Sequence, residues 1–356
     1  MGGVPHVCVV DIGRMRIGIV TPAPPDSRYG NRITALRWAR ILRRLGNRVS
    51  ILQTYDGRPY DLLVALHARR SHPSIISFRR HNPEAPIIVA LTGTDLYRDI
   101  RSHHRAQKSL QIATRIVVLQ PKAIEELHPD LRDKARVIYQ SVESTLGQPE
   151  PNRREATAGI KSAPSQSSSG GFDICVIGHL RAVKDPFRAA IAARLLPSSS
   201  RIRVLQVGGA MTDAMAARAR RETRINHRYQ WLGEQPQSRV HRILARSRLC
   251  VLSSRMEGGA NVLSEAIVAS VPILASRIDG NVGILGADYP GYFGVGDTKQ
   301  LAQLLTYAET CPEYLAKLRT RCKSLAPLFE PAREEKAWAD LVCELAREGQ
   351  LTILDR

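Results

Sequence analysis

Glu257 and Glu265 flank a run of small residues and the start of a helix-like segment, Ser253-Ser254-Arg255-Met256-Glu257-Gly258-Gly259-Ala260-Asn261-Val262-Leu263-Ser264-Glu265-Ala266. The order is apolar strand, small-residue loop, helix. Small residues let backbone amides approach a ligand closely. A helix start adds free N–H groups and the positive end of a dipole, which suit a diphosphate. One carboxylate lies in the loop and one a turn into the helix, so both can face one pocket, where they would accept hydrogen bonds from sugar hydroxyls. An ordinary strand–loop–helix turn with surface glutamates fits the same residues about equally well.

A second constellation has the same setting. Gly178-His179-Leu180-Arg181-Ala182-Val183-Lys184-Asp185-Pro186 follows an apolar strand and precedes a helix. Arg181 and Lys184 could reach one phosphate group and neutralise a departing diphosphate; a basic helix start is the plainer reading. Gly208, Gly209 and Gly233 end strands in the same half, a weak signal singly.

The first half offers loops rather than a fingerprint. Residues 22–31 form a long loop between strand and helix, with Arg28, Gly30, Asn31 and Arg32 as acceptor-side candidates and no GxGxxG pattern. Thr92, Gly93, Thr94, Asp95 and Arg98 make a second strand-end loop, with Asp95 as a base, a hydroxyl ligand or a helix cap. His67 closes the strand in Ala-Leu-His-Ala-Arg-Arg beside Arg69 and is either catalytic or structural. Gln140 and Ser141 close the last strand of this half. No Ser-His-Asp or Cys-His arrangement and no P-loop is recognisable.

These loops need strands to carry them. Strands are expected at 16–21, 49–53, 62–66, 87–91, 115–119 and 136–138, with helices at 34–45, 74–80, 102–112 and 121–127 between them. After a Ser-, Pro- and Gly-rich break at 144–171, strands are expected at 173–177, 203–207, 229–232, 249–252 and 272–275, and helices at 186–195, 239–245, 261–269 and 298–310. Strands alternating with helices imply parallel sheets covered on both faces. The expected architecture is α/β, two doubly wound Rossmann-like domains facing a cleft. Their bounds are 15–143 and 172–330, with a possible extension at 1–14 and a flexible linker at 144–171. A tail at 331–356 carries Trp338, Leu341, Val342 and Leu345 on one helix face and is expected to pack back toward the first domain.

Bulk properties narrow the function. Lys and Arg number 52 against 33 Asp and Glu, a net charge of +19. Such a chain attracts nucleic acid, acidic lipid or phosphorylated small molecules, although solvated helix faces account for it equally well. Aromatics are only 5% and do not interleave with the basic residues, so single-strand stacking platforms are disfavoured. The six cysteines include no CxxC pair, which argues against zinc and a disulfide framework. No apolar run is long enough to span a bilayer and no secretory signal is evident. The expectation is a cytoplasmic monomer or dimer that needs no metal or cofactor.

The second half resembles the family 4 glycosyltransferases of the GT-B fold. The residues that carry this are Tyr-Gln-Trp-Leu-Gly (229–233), Leu-Cys-Val-Leu-Ser-Ser (249–254), Glu-Gly-x-x-Asn-Val-Leu-x-Glu-Ala (257–266), Val-Pro-Ile-Leu-Ala-Ser (271–276) and Gly-Asp (296–297). The resemblance implies that Glu257 contacts the donor sugar and Glu265 holds the nucleotide ribose. Amides near Asn261 and Val262 would meet the diphosphate, and Arg181 and Lys184 its phosphates. Gly178, His179, Gly208, Gly209, Leu232, Gly233, Gly258, Gly259 and Ala260 fall on the implied donor side. The family usually has Arg directly after the first glycine, where this chain has His179, so Arg181 or His179 must substitute.

The whole chain is similar to one branch, the selenosugar synthases of selenoneine biosynthesis. The match runs through Thr-Pro-Ala-Pro…Gly-Asn-Arg (21–32), Tyr-Asp-Gly-Arg-Pro-Tyr-Asp (55–61), Ala-Leu-His-Ala-Arg-Arg-Ser (65–71), Ala-Leu-Thr-Gly-Thr-Asp-Leu-Tyr-Arg-Asp (90–99), Val-Leu-Gln-Pro (118–121) and Gly-His-Leu-Arg-x-x-Lys-Asp-Pro (178–186). It implies UDP-N-acetylglucosamine or UDP-glucose as donor and selenophosphate as acceptor. A glycosyltransferase with a sugar or lipid hydroxyl acceptor at a membrane surface is the alternative.

Overall fold

The computed structural model describes residues 14–27, 29–93, 95–143 and 171–354, with side chains to residue 348. The extension at 1–14 (but for its last residue), nearly all of the expected linker, Arg28 and Thr94 lie outside these described residues.

The chain divides into two compact units, 1–140 with 331–356, and 141–330. The first holds β1 (Arg16–Val20), α1 (Gly30–Arg44), β2 (Arg48–Leu52), β3 (Leu62–Leu66), α2 (His72–His81), β4 (Ile87–Leu91), a single helical turn α3 (Ile100–Ser102), α4 (His104–Ile112), β5 (Arg115–Val118) and β6 (Ala135–Val137). The second holds β7 (Phe172–Ile177), α5 (Arg188–Ala193), β8 (Ile202–Val207), α6 (Asp213–Ile225), β9 (Tyr229–Trp231), α7 (Gln237–Arg246), β10 (Leu249–Leu252), α8 (Asn261–Val268), β11 (Ile273–Ser276), α9 (Asp279–Leu285), β12 (Tyr292–Phe293), α10 (Thr298–Thr310) and α11 (Pro312–Leu325). The last helix, α12 (Pro331–Leu354), returns to the first unit.

Each unit is built on one six-stranded sheet, ordered β2-β1-β3-β4-β5-β6 and β12-β11-β10-β7-β8-β9. Every pairing is parallel. Each is a Rossmann-like doubly wound sheet, and together they make the two-domain GT-B fold. Strands buried on both faces read as continuous apolar runs: Leu62–Leu66, Ile87–Leu91 and Leu249–Leu252 are buried at every residue. The winding reverses between β1 and β3 in one sheet and between β7 and β10 in the other. Ligands of such sheets bind at the carboxyl ends of the strands at these switch points.

Several expected elements differ in the structure. Residues 22–31 are not all loop, because α1 begins at Gly30 and takes Asn31 and Arg32 into its first turn. Residues 95–99 are a π-helical turn, not loop. Residues 121–124 form a short 3-10 turn that opens on Pro121, instead of a helix to 127. Helix α6 has no expected counterpart. Only Ala219 and Glu222 of its Ala- and Arg-rich residues are buried, so it lacks an apolar stripe and rests on propensity and a Thr212 cap on Met215 N–H.

The first unit's core lies on both faces of its sheet. One face packs Trp38 and Leu42 of α1 against Trp338, Leu341, Val342 and Leu345 of α12. The Trp38 and Trp338 rings meet edge to face at 4.9 Å. Trp38 Nε1 donates to buried Glu334 at 2.9 Å.

Candidate active site

At the β7–β10 switch point the strand ends open into a pocket. Its lining includes Gly178, Lys184, Gln206, Ser254, Glu257 and Val262. The loops that form it are braced by backbone bonds in series. Gly178 N–H donates to Val207 O at 2.8 Å, and Gly208 N–H donates to Gly233 O at 2.8 Å. Gly208 sits at φ +139°, and a Cβ there would lie 2.1 Å from Gly178 O. Only glycine permits this approach.

Glu257 is the centre of the pocket's polar wall. It is 8% exposed. Lys184 Nζ donates to Glu257 Oε1, and Ser254 Oγ donates to the same oxygen at 2.5 Å. Lys184 ends a 3-10 turn, followed by Asp185 at φ +44°. That turn is tied to the β10 loop: Arg255 N–H donates to Val183 O at 2.8 Å and Ser253 Oγ to Asp185 O at 2.9 Å. Behind Glu257, helix α9 comes so close that a Cβ on Gly280 would lie 1.9 Å from Glu257 O. Asn281 Nδ2 donates to Ser276 O at 2.9 Å, and Ser276 Oγ donates to Ser254 O. The result is a cation, a hydroxyl and a carboxylate fixed on one wall, able to meet phosphate oxygens and hydroxyls together.

The expected donor-side residues distribute unevenly around this pocket. Gly178, Lys184, Glu257 and Val262 line it. Arg181 caps the Lys184 turn and is exposed. Glu265 is not among the residues that line this pocket. A turn into α8, its Oε1 lies 3.8 Å from His241 Nε2 of α7. Asn261 and Val262 open α8 after Ala260, which gives no side-chain cap. Gly209 adjoins His179 and Glu234, and Leu232 N–H donates to Gln206 O at 2.9 Å. Sequence alone does not mark Ser254, Gly280, Ser276, Asn281, Gln206 and His241 as site residues. Ser254 and Gln206 stand out only as polar residues at the ends of apolar strands.

In the first unit, His67 directly follows β3 in a left-handed conformation, φ +75°. That is rare for a residue with a side chain and is held in place by its surroundings. The ring is buried between Asp95 and Asp99, each 3.9 Å away. Burial is the main effect and pushes the His67 pKa below its ordinary value. Arg70 acts in the same direction, while Asp95 and Asp99 oppose it. Asp95 is fully buried, and its carboxylate accepts Ala68 N–H at 3.1 Å and Gly93 N–H at 3.0 Å. This carboxylate therefore staples the β3 and β4 loops. Arg69 and Arg98 both reach Asp99, at 3.3 and 3.2 Å. Thr92 Oγ1 donates to Asn31 Oδ1 at 2.8 Å, joining the β4 end to α1. Gln140 does not close a strand, since β6 stops at Val137. Its side chain donates to Thr34 Oγ1 at 2.7 Å within the first unit, while Ser141 falls in the second.

Residues 160–326, most of the second unit, match the family Glycosyl transferases group 1. No curated protein matches the chain. Among solved structures, HepE of Anabaena in complex with UDP and glucose is similar at a TM-score of 0.70 and 13% identity, covering 93% of this chain and 100% of that one. Sucrose-phosphate synthase of Thermosynechococcus elongatus is similar at 0.70 and 14% identity, covering 93% and 99%. A glycosyltransferase of Rickettsia africae is similar at 0.69 and 14% identity, covering 93% and 98%. These likenesses show the GT-B fold.

Proposed function

We propose that the protein transfers a sugar from UDP-N-acetylglucosamine or UDP-glucose to selenophosphate. In this reaction the anomeric carbon–oxygen bond to UDP breaks and its electron pair leaves on UDP. A selenium lone pair of the acceptor forms the new carbon–selenium bond, giving a glycosyl phosphoroselenoate, and attack of water on phosphorus then breaks the phosphorus–selenium bond, releasing phosphate and the selenosugar of selenoneine biosynthesis. The observation that carries the glycosyl-transfer reading is the Lys184–Glu257–Ser254 wall at the switch point of the unit that matches the group 1 glycosyltransferase family. HepE is described in complexes with UDP and with UDP-glucose, which supports a UDP-linked donor.

Lys184 and Arg181 would neutralise the leaving diphosphate, with Glu257 on the sugar and Glu265 on the ribose. No metal or cofactor takes part in this reading. The acceptor assignment draws on the sequence resemblance and on the basic residues Arg69 and Arg98 near His67, which suit a small dianion. An anionic selenium nucleophile needs no strong general base, in keeping with an Asp95 carboxylate engaged by two backbone amides. Among the described residues no helix is long and apolar enough to cross a membrane.

The test is incubation with each UDP-sugar and selenophosphate, following UDP. UDP release that depends on selenophosphate is expected. Turnover only with a sugar or lipid hydroxyl acceptor would overturn the acceptor, and failure to bind UDP would overturn the donor site.

A further inference from the structure

Gln206 is the one polar residue of β8's inward-facing set. Ile202, Val204 and Gln206 share that buried face, and Gln206 is 1% exposed. Its Cα pairs with Val176 of β7 on one side and Trp231 of β9 on the other, so it stands inside the sheet. It also borders the pocket that holds Lys184 and Glu257. An uncharged polar side chain in such a place is costly unless its hydrogen bonds are met.

They are half met. Nε2 donates to Gly178 O at 3.4 Å, a long bond. Oε1 is buried and has no partner among the described residues. Reversing the amide would not help, because it would turn Oε1 toward the Gly178 carbonyl and leave the donor unmet instead. The unmet group is therefore an acceptor on a residue that lines the pocket. Diphosphate oxygens carry no proton at neutral pH and cannot satisfy it. The partner must bring an O–H or N–H.

We infer that Gln206 accepts a hydrogen bond from a hydroxyl of the transferred sugar and so helps select the donor. This rests on the nucleotide-sugar reading of the same pocket. A sugar hydroxyl is favoured because Glu257, another acceptor, lines the same pocket. Two acceptors on one lining suit a polyol better than a phosphate.

The experiment compares wild type with Gln206→Met, which keeps the length of the side chain and removes the acceptor. Affinities for UDP, UDP-glucose and UDP-N-acetylglucosamine are measured by calorimetry. The expected result is UDP affinity unchanged, which also shows the variant is folded, and UDP-sugar affinity weakened about three- to tenfold. Equal loss for UDP and UDP-sugar would overturn the sugar assignment in favour of the nucleoside. No change for any ligand would mean that only water meets Gln206, and would also overturn it. A wild type that binds no UDP at all would instead remove the nucleotide-sugar reading on which the inference stands.

Discussion

The ammonium of Lys184 and the carboxylate of Glu257 are hydrogen-bonded to each other on one wall of the pocket, with Ser254 on the same carboxylate oxygen. Each thus holds the other in place before any ligand arrives. Lys184→Ala would release Glu257 and, on the proposed function, also remove the cation that meets the leaving diphosphate. We expect turnover to fall about 10²- to 10³-fold in Lys184→Ala, and comparably in Glu257→Gln. Because the two act as one unit, the double variant should lose little more than either single one. Steady-state kinetics showing fully multiplicative losses would refute the coupling.

Gly280 tests the same wall from behind. A methyl group there would lie 1.9 Å from the Glu257 carbonyl oxygen, a backbone atom that cannot swing aside. Gly280→Ala must move either α9 or the Glu257 loop, at a cost of about 1–3 kcal/mol for overpacking. The expected outcome is a lower Tm together with a loss of turnover larger than the loss of UDP affinity. Normal turnover would show that Glu257 does not depend on this contact.

The sequence already shows most of the strands, since buried parallel strands such as β3 and β4 are unbroken apolar runs. It shows the Glu257 and Lys184 loops because small residues and charges cluster between strand and helix. It does not show that Lys184 pairs with Glu257, because the two lie on loops from different strands and only the sheet order β10-β7 makes them neighbours. Gly280 and Gln206 were hidden for a related reason. One is an unremarkable glycine until its distance to Glu257 is known, and the other a single amide in an apolar strand. Asp95 reads as a candidate base from its place after β4, yet burial turns it into a receiver of backbone amides.

Glu265 approaches His241 at 3.8 Å, one turn into α8. If it holds the ribose of the nucleotide, Glu265→Ala should weaken UDP binding about ten- to a hundredfold, the range for hydrogen bonds to a charged group. The loss should appear for UDP and UDP-sugar alike, which separates this residue from Gln206. An unchanged UDP affinity by calorimetry would place the ribose elsewhere.

His67 predicts a pH dependence of stability. Burial lowers its pKa in the folded chain below the ordinary 6.5. Above about pH 6.5 the imidazole is neutral in both folded and unfolded chains, and it contributes no slope. Below that value the unfolded chain takes up a proton that the folded chain resists, so stability falls as pH falls toward the lowered pKa. His67→Asn removes the titration and accepts the positive φ more readily. Chemical denaturation between pH 7.5 and 5.5 should therefore show a shallower loss in the variant. An identical slope would mean that the other histidines with lowered pKa, His72 and His103, account for it.

The last helix carries the final prediction. Trp338 is fully buried against Trp38, whose indole N–H is bonded to Glu334 of the same helix. Further along, Glu344 pairs with Arg115 and Arg136 of β5 and β6. The attraction in these partly buried pairs is offset by desolvation of the charges, so the indole contact should dominate. Trp338→Ala leaves a large cavity in the first unit and should cost about 3–5 kcal/mol. The variant should unfold at a lower temperature while keeping its UDP affinity, because the candidate pocket around Lys184 and Glu257 is lined wholly by residues of the second unit. Loss of UDP affinity at a temperature where the variant remains folded would show that the tail helix supports the donor pocket as well.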